Sequence, residues 1–335
     1  MCDALWHTLL ETAILAPSPH NIQPWRILIR DRFTADLYFD RLKLLPDGDR
    51  TGSFMIATAG MFIEALSIVA ANLQYQLDYQ LDRSAFTAIQ APQHLNHDLI
   101  PISRLTLSSN PSLVSDWDSS LFQQRRTSRL SYTAPVSMAA KTALTCLAHR
   151  WQQQYIQIDT ASQIEATVDR NIDAVITDFN DRAYRVELLK WLRFSRARSL
   201  QNRDGLDARC MNLPPLNFWL LANCPGFAKL PIIDRLVQLY YRHTLGSIAN
   251  IGILAGDFWQ PEAAFKAGRF LLQFWLEATR HGLYLQPFGN LVTNDNAAQW
   301  CADKFQQQQI WFVFKIGHSH QPPQSYRHHV AQILL

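Results

Sequence analysis

The sequence predicts a mixed α+β fold. Three observations lead there. Segments with helical periodicity alternate with strand-like runs along nearly the whole chain. The composition, 48% hydrophobic against 18% charged, is that of a packed globular protein and is too apolar for disorder. At 335 residues the chain also exceeds the usual single-domain size, so it must form one large domain or two fused units.

The elements follow in order. Helical spacing from Leu5 to Leu15 gives way to APSPHNIQP, where three prolines and an Asn enforce a loop, and WRILIRD then opens a strand that continues toward Tyr38. After DGDRTGS, an apolar helix runs from about Phe54 to Gln74, followed by the strand-like runs YQLDYQLD and SRLTLSS. A second unit of similar order begins near Trp117. It has a short helix, the basic turn RRTSR, the helix MAAKTALTCLAHRW and the strand QYIQIDT. Helical segments from Ile164 to Leu192 lead to a loop containing NRDGLD. From Leu213 to Tyr241, large apolar residues between prolines suggest two short helices joined by CPGF, forming a cap. The remainder alternates again: the strand IANIGILAG, a helix from Pro261 to Arg280, LYLQPFGN, a helix from Asn294 to Phe305, the strand IWFVFKIG and a polar tail.

The bulk numbers exclude several functions. A charge balance of 31 against 28, or +3, is far from the concentrated basic excess of a nucleic-acid binder, so an anion would have to be met locally. Cys2, Cys146, Cys210, Cys224 and Cys301 are scattered, with no paired spacing for zinc or disulfides, which fits a reducing cytoplasm. The N-terminal stretch carries Asp3, His7 and Glu11 at helical spacing and reads as an amphipathic helix, not a signal peptide. The window from Met55 to Leu73 approaches membrane-spanning length, but Glu64 and several small polar residues favour a buried helix. His318, His320, His328 and His329 have no accompanying carboxylate or Cys, so they read as a solvated tail and no metal is assigned. Asp47 and Asp49 read as a solvated loop or Asx turn. Phosphate-loop, dinucleotide-fingerprint and nucleophile-elbow motifs are absent.

Two segments carry chemistry. Ala16 to Trp25 groups Ser18, His20, Asn21 and Gln23 between Pro17, Pro19 and Pro24, so donors and acceptors are presented on a stiffened backbone. Such a loop suits the polar edge of a flat heterocycle such as a flavin, although a proline-rich turn with capping residues would look the same. Arg125, Arg126, Thr127, Ser128 and Arg129 place three guanidinium groups and two hydroxyls within five positions. Phosphate is the natural guest, and the alternative is a solvated basic turn.

APSPHNIQPW resembles the PSxxNxQPW loop that lines the FMN ring in the nitroreductase superfamily, and RRTSR resembles that family's RRSxR phosphate motif with Thr127 at the serine position. FKAGRFLLQFWLEATRHGLYLQPFGN and FVFKIGHSHQPPQSYRHHV extend the resemblance over nearly the whole chain. In ordinary members the basic motif comes first, and FMN lies between two subunits. Here the loop comes first and no second QPW follows RRTSR, an order that resembles the fused, pseudo-dimeric Acg-type branch. The resemblance implies a nitroreductase-like fold duplicated within the chain, with residues 1–112 as one half, 113–335 as the other, and a helical lid at about 200–246.

The resemblance also implies a site. Pro17, Ser18, His20, Asn21 and Gln23 would meet the FMN ring, and Arg125, Arg126, Thr127 and Arg129 its phosphate, with Arg327 as a late basic residue nearby. The backbone of Pro287, Phe288 and Gly289 would approach N5, the alternative for Gly289 being a plain turn. Chemistry would occur at N5 without an assigned catalytic side chain, with NAD(P)H as donor and an electron-poor or hydrophobic small molecule as acceptor. In the lid, Phe218, Trp219, Phe227 and Tyr241 would line a substrate site or fill the cap's own core. Two rival functions remain: flavin sequestration beneath a blocking lid, and membrane docking through apolar residues beside Lys229, Arg235 and Arg242.

Overall fold

The computed structural model describes residues 4–92, 97–216, 219 and 250–335. The fold is mixed α+β, as the sequence predicts. Helix α1 (Ala4–Ala13) precedes the hairpin β1 (Trp25–Ile29) and β2 (Thr34–Asp40), where the sequence pattern predicts a single strand toward Tyr38. The chain reverses because the Asp31 carboxylate accepts from the amides of Phe33 and Thr34, an Asx turn that ends β1. Helix α2 (Ser53–Asn72), β3 (Tyr75–Leu81), the short α3 (Ser84–Gln90) and β4 (Leu99–Ser109) complete an antiparallel sheet of order β1-β2-β4-β3.

Helix α4 (Ser120–Gln124) and β5 (Tyr132–Ala134) flank the basic turn, and α5 (Met138–Arg150) leads into β6 (Gln154–Ile158). The expected continuous helical stretch to Leu192 is two helices, α6 (Ala161–Asn180) and α7 (Arg182–Trp191). The break falls at Asp181, whose carboxylate accepts from the amides of Ala183 and Tyr184 and so caps α7. A two-residue parallel pairing of β7 (Leu192–Arg193) with β8 (Leu206–Asp207) brackets α8 (Arg196–Asn202). Then come β9 (Asn250–Ala255), the long α9 (Pro261–Arg280), β10 (Tyr284–Pro287), α10 (Asn290–Thr293), α11 (Asp295–Phe305) and β11 (Ile310–Ser319). The second sheet has the antiparallel order β10-β11-β9-β6, with β5 added on β11.

Taken from the other edge, the second sheet is β6-β9-β11-β10, which matches β1-β2-β4-β3 strand for strand, with α9 standing in sequence where α2 stands. The difference is the connection between the first two strands. Four residues join β1 to β2, whereas β6 reaches β9 only after α6, α7, α8 and the 217–249 region.

The two long helices pack against each other. Helix α2 is buried nearly all round, so the apolar window that reaches membrane-spanning length is a core helix here. A Cβ placed on Gly60 would lie 2.1 Å from the Phe265 carbonyl oxygen, and one on Gly268 would lie 2.0 Å from that of Ala57. Backbones meet this closely only because neither glycine has a side chain. The contacts are reciprocal: exchanging the helices by 208 positions (268 less 60, 265 less 57) turns one into the other.

The C-terminal tail, expected to be solvated, instead packs onto the first sheet. The Ile27 amide donates to the Ile333 carbonyl, the Leu335 amide donates to the Ile27 carbonyl, and Ile333 is fully buried. The apolar spacing of Val330 and Ile333 drives this docking. Asp49 is likewise not solvated: it is 7% exposed and its carboxylate accepts from the Met55 amide at the start of α2.

If the helix crossing is as tight as the geometry requires, Gly60→Ala and Gly268→Ala should each destabilise the protein by about 3 kcal/mol in urea unfolding. Gly289→Ala, where a Cβ meets nothing within 4 Å, should change stability by no more than about 0.5 kcal/mol.

Candidate functional site

A cavity of about 440 Å³ opens beside the helix crossing, against β10 and β11 of the second sheet. Ala57 and Met61 of α2 and Leu271 and Trp275 of α9 contribute to its walls. Pro17, Ser18, His20, Asn21, Arg125, Arg126, Thr127, Arg129, Pro287, Phe288, Gly289 and Arg327 all line it, so the early loop, the basic turn, the segment after β10 and the tail meet at one place.

The early loop is held in a demanding shape. His20, Asn21 and Gln23 all have positive φ (49°, 57° and 50°), and the Ser18 hydroxyl accepts from the Gln23 amide to close the turn. Gln23 does not reach the cavity. It is fully buried, its amide donates to the Arg203 and Asn21 carbonyls, and its carbonyl accepts from the His328 amide. Asn21 lines the cavity, yet its side chain also works inward, donating to the Gly205 and Tyr326 carbonyls and accepting from Arg327. These two amides therefore fasten the loop to the NRDGLD segment and the tail. Trp25, stacked on Phe62 of α2 at 4.5 Å, anchors its far end. His20 is held neutral, its imidazole pushed down to about 4 by burial and then by Arg129.

The basic turn docks on β10 through a bridge between Thr127 and Leu285 and a bond from the Ser128 amide to the Leu285 carbonyl. Ser128 points away from the cavity, its hydroxyl against that of Ser319. Arg125 is 6% exposed, donates to the Leu15 carbonyl at 3.0 Å, and lies over the Trp275 ring at 4.8 Å. Arg126 donates to the Pro322 carbonyl and Arg129 to the Cys210 carbonyl. The Nε atoms of Arg125, Arg126 and Arg327 are buried with no hydrogen-bond partner. Among the described residues no carboxylate pairs with these three. Among the described residues, the two carboxylates that reach the cavity are committed elsewhere, Asp207 to Arg209 and Asp49 to the start of α2.

Burial, reinforced by Arg327, pushes the Arg125 guanidinium down to about 9, and burial pushes Arg327 down to about 10. Behind the turn, the fully buried Lys315 donates to the Leu130 carbonyl at 3.0 Å, 4.3 Å from the Tyr132 ring centre. Burial and then Arg129 bring its ammonium to about 7. The positive charge of Arg125, Arg126 and Arg327 is thus concentrated where it is poorly solvated, with no carboxylate partner among the described residues. Such a site is chemically fit for an anion with several acceptor oxygens.

After β10 the backbone turns into α10. The Phe288 amide is used by the Val313 carbonyl, and Pro287 has none. The Gly289 amide has no acceptor among the described residues, and the space beside its Cα is open.

Among the cavity residues that sequence reasoning misses are Trp275, Gln286 and Asn171. Trp275 follows Leu271 by one helical turn, a stripe that an apolar core helix would show as well. Gln286 and Asn171 each carry a buried side-chain oxygen without a partner, and no motif marks either one. Of the lid residues, Trp219 is 45% exposed and does not line the cavity. Phe218, Phe227 and Tyr241, with Lys229, Arg235 and Arg242, lie outside the described residues.

No family model matches the chain, and no curated protein matches it. Among solved structures, the FMN- and NADPH-dependent nitroreductase NfnB of Sphigopyxis sp. strain HMH aligns at 15% identity, covering 64% of this chain and 96% of its own, with a TM-score of 0.40. The FMN-dependent nitroreductase NfnB from Mycobacterium smegmatis, in complex with NADPH, aligns at 16% identity over 60% and 86%, with a TM-score of 0.35. A nitroreductase with bound FMN from Bacteroides fragilis aligns at 10% identity over 61% and 89%, with a TM-score of 0.36. Likenesses this faint do not bear on the activity of this chain.

The tail that fixes the loop also makes it sensitive to acid. Lys43 donates to His328 Nε2 at 2.8 Å, and burial, with the cations Lys43, Arg26, Arg203 and Arg327, holds that imidazole down at about 3. An unfolded His protonates near 6.5, so as pH falls the unfolded chain takes this proton first. The stabilisation is complete above 6.5 and is lost between 6.5 and about 3. His328→Gln should flatten the fall of the urea midpoint across that window, and an unchanged slope would remove His328 as its source.

Proposed function

We propose that the chain is an FMN-dependent oxidoreductase of nitroreductase type, in which one polypeptide supplies both halves of a pseudo-dimeric site. The observation that carries this reading is the set of guanidinium groups, Arg125 buried and Arg126 and Arg327 half-buried, that face an otherwise largely apolar cavity. Arg125, Arg126 and Arg327 have orphaned Nε atoms and no carboxylate partner among the described residues. A phosphate monoester carries nearly two negative charges, and each charge-assisted bond contributes about 1.5–3 kcal/mol when formed away from water. The shared strand order of the two sheets and the reciprocal Gly60 and Gly268 contacts support the pseudo-dimer.

In this reading Arg125, Arg126, Arg129 and Arg327 hold the phosphate, with Thr127 beside them. The Pro17–Asn21 loop and Phe288 flank the ring. Gln286, whose Oε1 lacks a donor, and the Gly289 amide, which lacks an acceptor, are polar groups suited to the ring's edge. When bound, FMN supplies two-electron hydride chemistry at N5, with NAD(P)H as reductant and an electron-poor or hydrophobic organic molecule as acceptor. The chain's task is to orient the ring and to keep water from it with Met61, Phe54 and Phe258. No side chain is required to move a proton.

Protein purified with FMN supplied should be yellow and release FMN on denaturation. Arg125→Ala combined with Arg327→Ala should abolish retention of the colour while the circular dichroism stays native. Retained colour in that variant would overturn the phosphate assignment. Anaerobic NADH or NADPH should bleach the wild-type protein; colour that yields only to dithionite would replace the oxidoreductase by a flavin-sequestering protein.

A further inference from the structure

Helix α6 has two faces with the same four-residue spacing. Ile164, Val168 and Ile172 enter the core of the second sheet. One position back, Asn171, Val175 and Phe179 face the cavity. Helix α7 adds Tyr184 and Leu188 to the same lining, and Leu192 follows. Apart from Asn171 and the Tyr184 hydroxyl this wall is apolar, and the hydroxyl is occupied as acceptor for the Asn290 amide.

Asn171 is the anomaly. It is 7% exposed, its Oδ1 is buried without a partner, and its amide nitrogen makes no hydrogen bond among the described residues. A carboxamide oxygen that has lost water and gained no partner is expensive, and native chains rarely keep one without a use. A hydrophobic residue here would continue the Val175 and Phe179 stripe. What the wall lacks is a ligand with a polar group facing Asn171.

We propose that the α6–α7 wall is a subsite for an uncharged, ring-containing molecule that carries one hydrogen-bonding group, and that Asn171 selects for that group. This rests on the oxidoreductase reading for its role, since it gives the electron acceptor a place, but not for its binding chemistry. A charged ligand is disfavoured. None of these wall residues offers a cation to an anion, and the cavity's carboxylates are already committed, so none is left for a cation. A carboxamide both donates and accepts, so Asn171 can serve a carbonyl or a hydroxyl, the two states of a ring oxygen before and after two-electron reduction.

The test uses two fluorescent probes that differ by one hydroxyl, 1-naphthol and naphthalene, titrated into FMN-loaded protein and into protein without FMN. Wild type should bind both, with 1-naphthol the tighter. Asn171→Leu should weaken 1-naphthol roughly three- to tenfold, as for loss of one neutral hydrogen bond, leave naphthalene within about twofold, and leave FMN per chain unchanged. Val175→Asp, which sets a carboxylate on the wall, should weaken both by about tenfold or more. The proposal is overturned if wild type binds neither probe, if Asn171→Leu affects the two equally, or if Val175→Asp affects neither. Colourless protein that still separates the probes would sink the FMN reading and leave the subsite standing.

Discussion

Everything in this structure depends on the backbone-to-backbone crossing of α2 and α9. With glycine at both contact points, the helices approach until each meets the other's carbonyl oxygens. The cavity is a by-product of this geometry. Its walls take Ala57 and Met61 from one helix and Leu271 and Trp275 from the other, so a shift of the crossing would move both sides together. The surrounding core resists such a shift, because Phe258 stacks on Trp311 at 4.7 Å and Trp25 on Phe62 at 4.5 Å.

On that rigid base the chain keeps an arrangement that works against its own stability. Arg125, Arg126 and Arg327 keep buried Nε atoms with no carboxylate partner among the described residues, and three polar residues at the loop tip, His20, Asn21 and Gln23, sit in left-handed conformations. Each feature persists only if neighbouring structure over-determines it. The tail does so. Asn21 is held by Tyr326 and Arg327, Gln23 by His328, and β1 by Ile333 and Leu335. The last residues of the chain therefore position the first functional loop, and a bound anion would relieve the remaining strain in charge.

Much of this is legible in the sequence, for physical reasons that also mark its limits. The early loop and the basic turn are local motifs whose chemistry survives without a fold, and they do converge on one cavity. Gln23 and Asn21 read as ligand groups because a buried amide looks the same whether it faces a ligand or the protein; only the partners tell. The tail reads as solvated because its histidines outnumber its apolar anchors, although Val330 and Ile333 decide its docking. Asn171 escapes notice because a polar residue on an amphipathic helix usually faces water, and nothing in α6 alone says that this face meets a cavity. The separation of β6 from β9 by several helices hides the common strand order of the two sheets, since a repeat with so long an interruption has no fixed period.

The crossing has two flanks, and among the described residues they are lined differently. Applying the same shift of 208 positions to the cavity-lining residues of the helices takes Ala57 to Phe265, Met61 to Arg269, Leu271 to Ile63 and Trp275 to Ser67. On that flank Arg269 is bonded to the buried Glu64 at 2.7 Å and to the Tyr79 hydroxyl at 2.9 Å, while Gln273 bridges Glu64 to the Trp151 indole. The Tyr79 and Trp151 rings lie within 5.4 and 5.6 Å of the guanidinium carbon. Where the open flank has a flexible Met beside a cavity, its counterpart has an ion pair braced by hydrogen bonds and aromatic rings. Breaking an ion pair whose carboxylate is buried costs about 3–5 kcal/mol, which holds these groups in place. Among the described residues, the near-symmetric crossing therefore carries a cavity on one flank and a bonded ion pair on the other.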